Sequence, residues 1–435
     1  MKKLSEQIQT YAVYDKAVKW GKLIAITGGT QAAVQAMGLI TGILIIRLLP
    51  MKEYAYYTIA NTVLGTMMVL SDSGINNAII SQGGPVWKDK QQLGTVLSTG
   101  LYLRRRFAVL SLCVSLPILL FFLIHQGAGW PTSLLIAAAL IPAFTAGLSD
   151  SILEIPSRLH QDIKSLQVNQ LLVGIGRFAL SILSLSIFPW TFISLLANGI
   201  PRIWGNVKLK QNAGRFADFS KPVDAAVNAE MLKMVKRIFP LTVYYAYSGQ
   251  IVIWLVSLSG TAFAVAQIGA LGRISMVLNF FNVMFAIMVI PRFARLNADR
   301  NKLLLSFMMI MGGLFMFSML IVLISWLFSP VILSVLGREY ADLETALVLN
   351  MAGSSLAMIS GAVYGIYSSR GWTIQPFFSI GLNLLTVIAG IMLLDVSNLK
   401  GVLIFNIIVA FAQFLVNTAF CSFKILKTKH LVAAE

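Results

Sequence analysis

Charge is scarce in this chain, and acid is scarcer than base. Charged residues make up 12% of the 435 and hydrophobic residues 57%, where an ordinary soluble domain carries about 25% charged residues. With a mean hydropathy of +0.79, a soluble globular protein is excluded and a polytopic membrane protein remains. No polar stretch is long enough for a separate soluble domain. Cys113 and Cys421 both lie in apolar runs, which leaves neither a disulfide framework nor a thiolate metal site and makes them small packing residues. His125, His160 and His430 are scattered over span ends and loops, without metal-ligand spacing. No glycine-rich loop ends in Lys-Ser or Lys-Thr, so there is no ATP site. No catalytic constellation supports an enzyme, and neither cofactor nor metal is expected. The opening MKKLSEQIQTYAVYDKAVKWGK is too polar for a cleavable signal peptide and reads as a cytoplasmic, amphipathic lead-in.

What is present is a series of apolar runs near the ~20 residues that a bilayer needs. Twelve are expected, over 23–47, 54–81, 107–126, 132–152, 166–188, 190–207, 238–259, 262–290, 303–328, 344–369, 375–394 and 401–423. The net charge of +17 sits in short loops between them, which is topology rather than a nucleic-acid face. With the N-terminus inside, the inner segments take Lys88, Lys90, the Arg104, Arg105, Arg106 triad, Arg158, Lys164, the cluster over 208–237, Arg292, Arg370 and the tail lysines. The outer loops keep only Arg47, Lys52, Arg338 and Lys400. By the positive-inside rule both termini are cytoplasmic. The triad reads as a topogenic cluster with anionic lipid headgroups beside it.

The longest polar interruption, 208–237, divides the chain. The expected units are a cytoplasmic segment 1–22, an N-lobe 23–207, a cytoplasmic linker 208–237, a C-lobe 238–424 and a tail 425–435. Span two (YAYYTIANTVLG) and span eight (FAVAQIGALGRI) echo each other weakly. Six helices per half make the repeats parallel, about an axis along the membrane normal.

The stretch 166–188 carries a single charge, Arg177, at its midpoint. At 3.6 residues per turn, Gln170, Gly174, Arg177, Ser181 and Ser184 share a face. An arginine at mid-bilayer costs about 2.5–3.5 kcal/mol, so it faces protein or water. The competing explanation is an arginine that only snorkels or locks two helices together. Similar stripes run along span one (Gly28, Gln31, Gln35, Gly38, Gly42), span two (Tyr54, Thr58, Asn61, Gly65, Asp72), span ten (Asn350, Ser354, Gly361) and span eleven (Gln375, Ser379, Asn383). Taken singly each fits helix packing; together they suggest a shared hydrated interior. A second buried cation, Arg273, lies about 16 Å inside span eight, with Asn279 and Asn282 further in on a different face. Tyr247 and Gln250 lie deep enough in span seven to meet sugar hydroxyls and ring faces.

Of the seventeen acids, only Asp72 and Asp150 fall within expected spans, both toward inner ends. A conduit for organic cations needs central carboxylates. Two deep arginines instead favour an anion such as phosphate or pyrophosphate, which the planar guanidinium fork suits. Asp72 reads equally as a counter-ion or coupling-cation site (H+ or Na+) and as the turn at a helix end, SDSG.

These features resemble the Wzx-type polysaccharide flippases of the multidrug/oligosaccharidyl-lipid/polysaccharide exporter superfamily. The similar stretches are RLLPMKEYAYYTIANTVLG (47–65), LSDSGINNAIIS (70–81), IPRFARL (290–296), GREYADLETALVLN (337–350) and Ser-Arg-Gly (369–371). The resemblance implies an all-α integral membrane fold of twelve helices in two six-helix lobes around a central cationic cavity. It also implies alternating access, and a cargo of O-antigen or capsule repeat unit linked through pyrophosphate to undecaprenol. The bacterial inner membrane would be the site, with polysaccharide polymerase and chain-length proteins as partners. Arg177 and Arg273 look like pyrophosphate-binding positions, with Arg47 a weaker member of the same field. Asn61, Tyr247, Gln250, Asn279, Asn282, Gln31 and Gln35 would line the glycan path. The other readings are a cation-coupled exporter of small amphipathic compounds and a non-transporting scaffold in a polysaccharide assembly complex.

Overall fold

The computed structural model describes residues 29, 32–296 and 299–428, and the chain is a multi-pass, all-helical membrane protein with no strand among them. From the N-terminus come α1 (Ala32–Leu48), α2 (Met51–Asp72), α3 (Ile75–Gly83), α4 (Lys90–His125), α5 (Trp130–Leu159), α6 (Ile163–Leu185) and α7 (Thr191–Ala213). There follow α8 (Ala225–Ser248), α9 (Ile251–Ser259), α10 (Ala262–Met288), α11 (Ile290–Ala294), α12 (Arg300–Leu327), α13 (Ser329–Leu336), α14 (Glu344–Ser368), α15 (Pro376–Leu393) and α16 (Leu399–Leu426).

Among the described residues seven helices are long and apolar enough to cross a membrane, or eight if α8 and α9 count as one span bent by 51°. Each expected span corresponds to a helix or a broken pair, so the layout agrees while the strict count does not. Helices α1 and α15 are apolar but shorter. The expected span 54–81 breaks where Ser73 (φ 43°) and Gly74 (φ 85°) turn left-handed, a conformation that suits glycine. The expected linker is largely helical: α7 continues to Ala213 and α8 begins at Ala225.

The few acids explain several helix starts. Asp89, Asp162, Asp224 and Asp299 each accept backbone N–H groups at the first turns of α4, α6, α8 and α12, satisfying donors that have no partner inside the helix. All four lie at the end of the bundle that carries most of the loop lysines and arginines, called the basic end below.

Helix α5 packs most extensively on α7, α6 also on α7, and α2 on α4; in the second half α14 packs on α16 and on α12. Helix α2 joins the halves, touching α4, α5 and α7 on one side and α8, α9 and α10 on the other. Thr58 and Gly269 mark a close approach of α2 and α10, because a Cβ on Gly269 would lie 2.2 Å from the Thr58 hydroxyl. The two helices with echoing sequences therefore pack against each other.

Away from the basic end both halves share one apolar core, with Ile45, Tyr54, Phe122 and Phe144 beside Val265, Leu271, Leu333, Leu347 and Phe405's neighbour Leu403. Toward the basic end the core divides. Ile75, Leu97, Ile152 and Met231 form one cluster; Phe293, Phe307, Val363 and Ile425 form another.

Candidate substrate cavity

Beneath the shared core lies a cavity of about 750 Å³, walled by α1–α7 and flanked by Ile238, Leu241, Thr242 and Tyr245 of α8. Its lining runs from Arg177, mid-way along α6, to Asn76, Asn77, Glu154 and Leu209 near the basic ends of their helices. It belongs chiefly to the first half rather than sitting evenly between two lobes.

Three arginines and three carboxylates line it: Arg104, Arg177 and Arg202 with Asp72, Asp150 and Glu154. The expectation of an arginine-dominated cavity with no central carboxylate is corrected here. Asp72 and Asp150 fall within expected spans, toward their ends; Glu154 went unrecognised because α5 extends through Leu159, beyond its expected end, and carries it into the wall.

Two of the arginines are neutralised. Arg104 is buried; its Nη1 lies 3.1 Å from Asp72 Oδ1 and donates to Asn76 Oδ1 at 3.1 Å and Ser151 Oγ at 2.6 Å. Arg202 Nε donates to Asp150 Oδ2 at 2.6 Å, and the other Asp150 oxygen accepts from Asn206 at 2.7 Å. Glu154 takes Arg158 at 2.5 Å and the Gln170 amide at 3.2 Å.

Arg177 differs. Its Nε is buried and meets no hydrogen-bond acceptor, and among the described residues no carboxylate pairs with it. The side-chain carbonyl oxygen of Asn169, also in the wall, is likewise buried without a donor. Arg177 is half-buried overall with its Nε shut off from solvent, and a partly desolvated cation without a direct counter-ion is costly, so the site is set to gain from an anion at Arg177 and a donor at Asn169.

Arg273 does not line this cavity. Its guanidinium lies over the Tyr57 ring, 5.8 Å from the centroid, and its stem fills the space that a side chain at Gly42 would occupy, at 3.2 Å. Tyr57 is itself buried. Arg47 is elsewhere: exposed, it donates to the Val335 and Ser334 carbonyls at 2.8 and 2.9 Å and so caps the last turn of α13. The grouping of Arg47 with the other two is thereby corrected.

The expected glycan residues do not converge either. Asn61 donates to Tyr57 O on its own helix. Gln250 sits at the α8–α9 break, its amide 4.0 Å from where a Gly65 side chain would begin. Tyr247 stacks loosely on Trp254. Asn279 is exposed, while Asn282 lines a separate, largely apolar hollow of about 280 Å³ with Phe281, Phe285 and Arg292. Gln35 is half-buried on α1, outside the lining; Gln31 lies outside the described residues. The stripes of the second half serve packing. Asn350 donates to Leu271 O and Ser275, and Asn383 to Gln413; Asn417 of α16, outside those stripes, donates to Ser360 while accepting from Tyr367.

Asp72 combines two of its expected roles. It ends α2 just before the left-handed turn and is the counter-ion of Arg104. Arg104, Arg202, Asn169 and Glu154 were not recognised from sequence. The available signal was charge parity, since Asp150 and Arg202 lie on spans two crossings apart, which run parallel and bring both residues toward the same end.

No protein-family model matches the sequence, and no curated protein is significantly similar to it. Solved structures are similar in fold. An inward-facing multidrug resistance MATE family transporter of the MOP superfamily superposes with a TM-score of 0.68 at 14% identity, over 91% of this chain and 96% of that one. The lipid II flippase MurJ, in an inward closed conformation, gives 0.67 at 14%, over 92% and 87%. A MOP superfamily transporter from Pyrococcus furiosus, described as having a binding pocket of reversed polarity, gives 0.61 at 14%, over 93% and 96%. At such identities the likeness establishes the fold: this chain has the architecture of MOP-superfamily transporters.

Proposed function

We propose that the protein is a flippase that moves an undecaprenyl-pyrophosphate-linked oligosaccharide from the cytoplasmic to the periplasmic leaflet of a bacterial inner membrane. Both termini are cytoplasmic in this reading, so the basic end is the entrance. The observation that carries it is Arg177: a cation deep in a 750 Å³ cavity, its Nε without an acceptor, while the arginines around it are held by carboxylates. A diphosphate accepts two bonds from one guanidinium fork. The lipid II flippase among the similar structures supports a lipid-borne cargo for this fold. Arg273 and Tyr57, just beyond the cavity, would receive the diphosphate later in the passage, as the lobes rock and expose the far side.

The test is translocation of an undecaprenyl-pyrophosphate oligosaccharide in proteoliposomes at matched levels of folded protein. Arg177→Ala should stall it, and Arg177→Lys should restore part by keeping charge without the fork. Transport indifferent to both substitutions would overturn the reading.

One observation favours a second reading, a cation-coupled exporter of small amphipathic compounds. Asp72, Asp150 and Glu154 line the same cavity and supply carboxylates for a coupling H+ or Na+ and for a cationic cargo. Efflux of an organic cation driven by an ion gradient, retained in Arg177→Ala and lost in Asp150→Asn, would decide for it.

A further inference from the structure

The sequence Arg104-Arg105-Arg106 spans one turn of α4, yet the three side chains enter three different surroundings. Arg104 is inside the cavity, paired with Asp72. Arg106 lies over the Tyr102 ring, 4.5 Å from its centroid. Arg105 faces a second hollow of about 410 Å³ between α4, α5, α7 and the α7–α8 connection.

That hollow has a consistent chemistry. Arg105, Lys210 and Lys221 line it with Ser98, Ser149 and Asn206, and no carboxylate does so. The acids nearest in sequence are otherwise engaged: Asp218 accepts from the Ser220 backbone and hydroxyl, and Asp224 caps α8. Three cations line a concave site together with the Ser98 hydroxyl, while the Asn206 amide is already committed to Ala146 O, Ser149 and Asp150. Lys210 lies in the last turn of α7 and Lys221 beyond it, so the mouth is at the level of the headgroups on the basic side. Basic hollows between helices at that level suit phosphorylated headgroups.

The floor also connects to the main cavity. Asn206 lines the hollow and donates at 2.7 Å to Asp150, whose other oxygen holds Arg202 of the cavity wall at 2.6 Å. One amide thus links a peripheral cationic site to a cavity charge. We infer that the Arg105, Lys210, Lys221 hollow is a binding site for a phosphoryl anion, distinct from the cavity that holds the transported molecule, and joined to it through Asn206 and Asp150. The inference does not depend on the identity of the cargo.

The phosphoryl group could come from an anionic phospholipid or from free phosphate, and one experiment separates the two. Purified full-length protein in zwitterionic phosphatidylcholine nanodiscs is titrated with inorganic pyrophosphate, and separately prepared with increasing phosphatidylglycerol. Thermal unfolding and native mass spectrometry follow occupancy. The pocket variant is Arg105→Gln/Lys210→Gln/Lys221→Gln; a control of equal charge change is Lys302→Gln/Lys424→Gln/Lys427→Gln. Removing charge-assisted contacts should weaken the responding anion by about tenfold or more in the pocket variant and leave the control near wild type. A saturable response to phosphatidylglycerol alone assigns the site to lipid, and a saturable response to pyrophosphate alone assigns it to free phosphate. Equal losses in both variants, or no saturable response to either probe, overturns the site.

Discussion

Arg104 reaches Asp72 at 3.1 Å across the point where α2 ends, and the same guanidinium holds Asn76, in the first turn of α3, at 3.1 Å. One side chain of α4 thus spans both sides of a left-handed break in the neighbouring span. Arg104→Ala should leave Asp72 without its counter-ion and with only the longer Asn76 N–H contact, and Asn76 with only the longer Ser151 contact, and destabilise the protein by about 2–4 kcal/mol, toward the lower part of that range because Asp72 keeps partial contact with solvent. Unfolding in detergent with a helix-sensitive probe measures it. A loss below about 0.5 kcal/mol would mean that the pair is screened like a surface bridge.

Arg177 should behave in the opposite way. Replacing a half-buried cation that lacks a direct counter-ion with an apolar side chain of similar length removes a desolvation cost. Arg177→Met should therefore raise the unfolding midpoint or leave it unchanged while transport falls by about tenfold or more, the worth of one charge-assisted contact. Loss of stability together with transport would show that the arginine serves packing.

The meeting of α2 and α10 has little tolerance. Gly269→Ala would place a methyl 2.2 Å from the Thr58 hydroxyl and 2.7 Å from its methyl, and overpacking of this kind costs about 1–3 kcal/mol. Thr58→Ala removes both obstructing atoms, so the double variant should recover much of the loss. Strict additivity in the double-mutant cycle would mean that the helices separate rather than clash.

Arg47 fastens α1 to α13 at the end away from the basic loops. Opening that end requires the two carbonyls of α13 to be released. Arg47→Ala should shift the population toward an open far end by roughly fivefold, about 1 kcal/mol for contacts exposed to water. A spin-label distance between α1 and α13 reads this shift, and an unaltered distribution would assign the contact to local helix capping alone.

Acid sensitivity of the connections is expected only at low pH. Hydrogen bonds from Ser220 hold the Asp218 carboxyl below its usual value of 3.8, and those from Ser397 do the same for Asp395. A carboxyl depressed in the folded state stabilises above its unfolded pKa and loses that contribution as pH falls through the folded one. Unfolding midpoints should therefore be insensitive to Asp395→Asn in their pH dependence above about pH 5, and differ in slope only below about pH 4. A difference in slope near neutrality would contradict the assignment.

The bundle was legible because apolar runs of bilayer length have few alternatives. Arg177 stood out as one charge in an otherwise apolar span. Its neighbours did not, since Arg104 and Arg202 lie near basic span ends where an arginine normally reports topology. Only the length of α4, from Lys90 to His125, shows that Arg104 is buried well inside the wall. The amide stripes of the second half misled for a related reason: hydrogen bonds between helices and a wet lining use the same residues at the same spacing. Which of the two applies depends on whether a partner stands opposite, and Asn350 and Asn383 each have one.

Three consecutive arginines in three chemically distinct settings constrain how α4 can move. Successive side chains on a helix point about 100° apart, so rolling α4 by a single residue would offer Arg105 to Asp72 and turn Arg104 away from its carboxylate, while Arg106 would keep Tyr102, which rides on the same helix. Arg104 would lose its partner and the second hollow would lose Arg105. Helix α4 is thereby keyed against rotation about its own axis, and tilting and sliding are the displacements left to it.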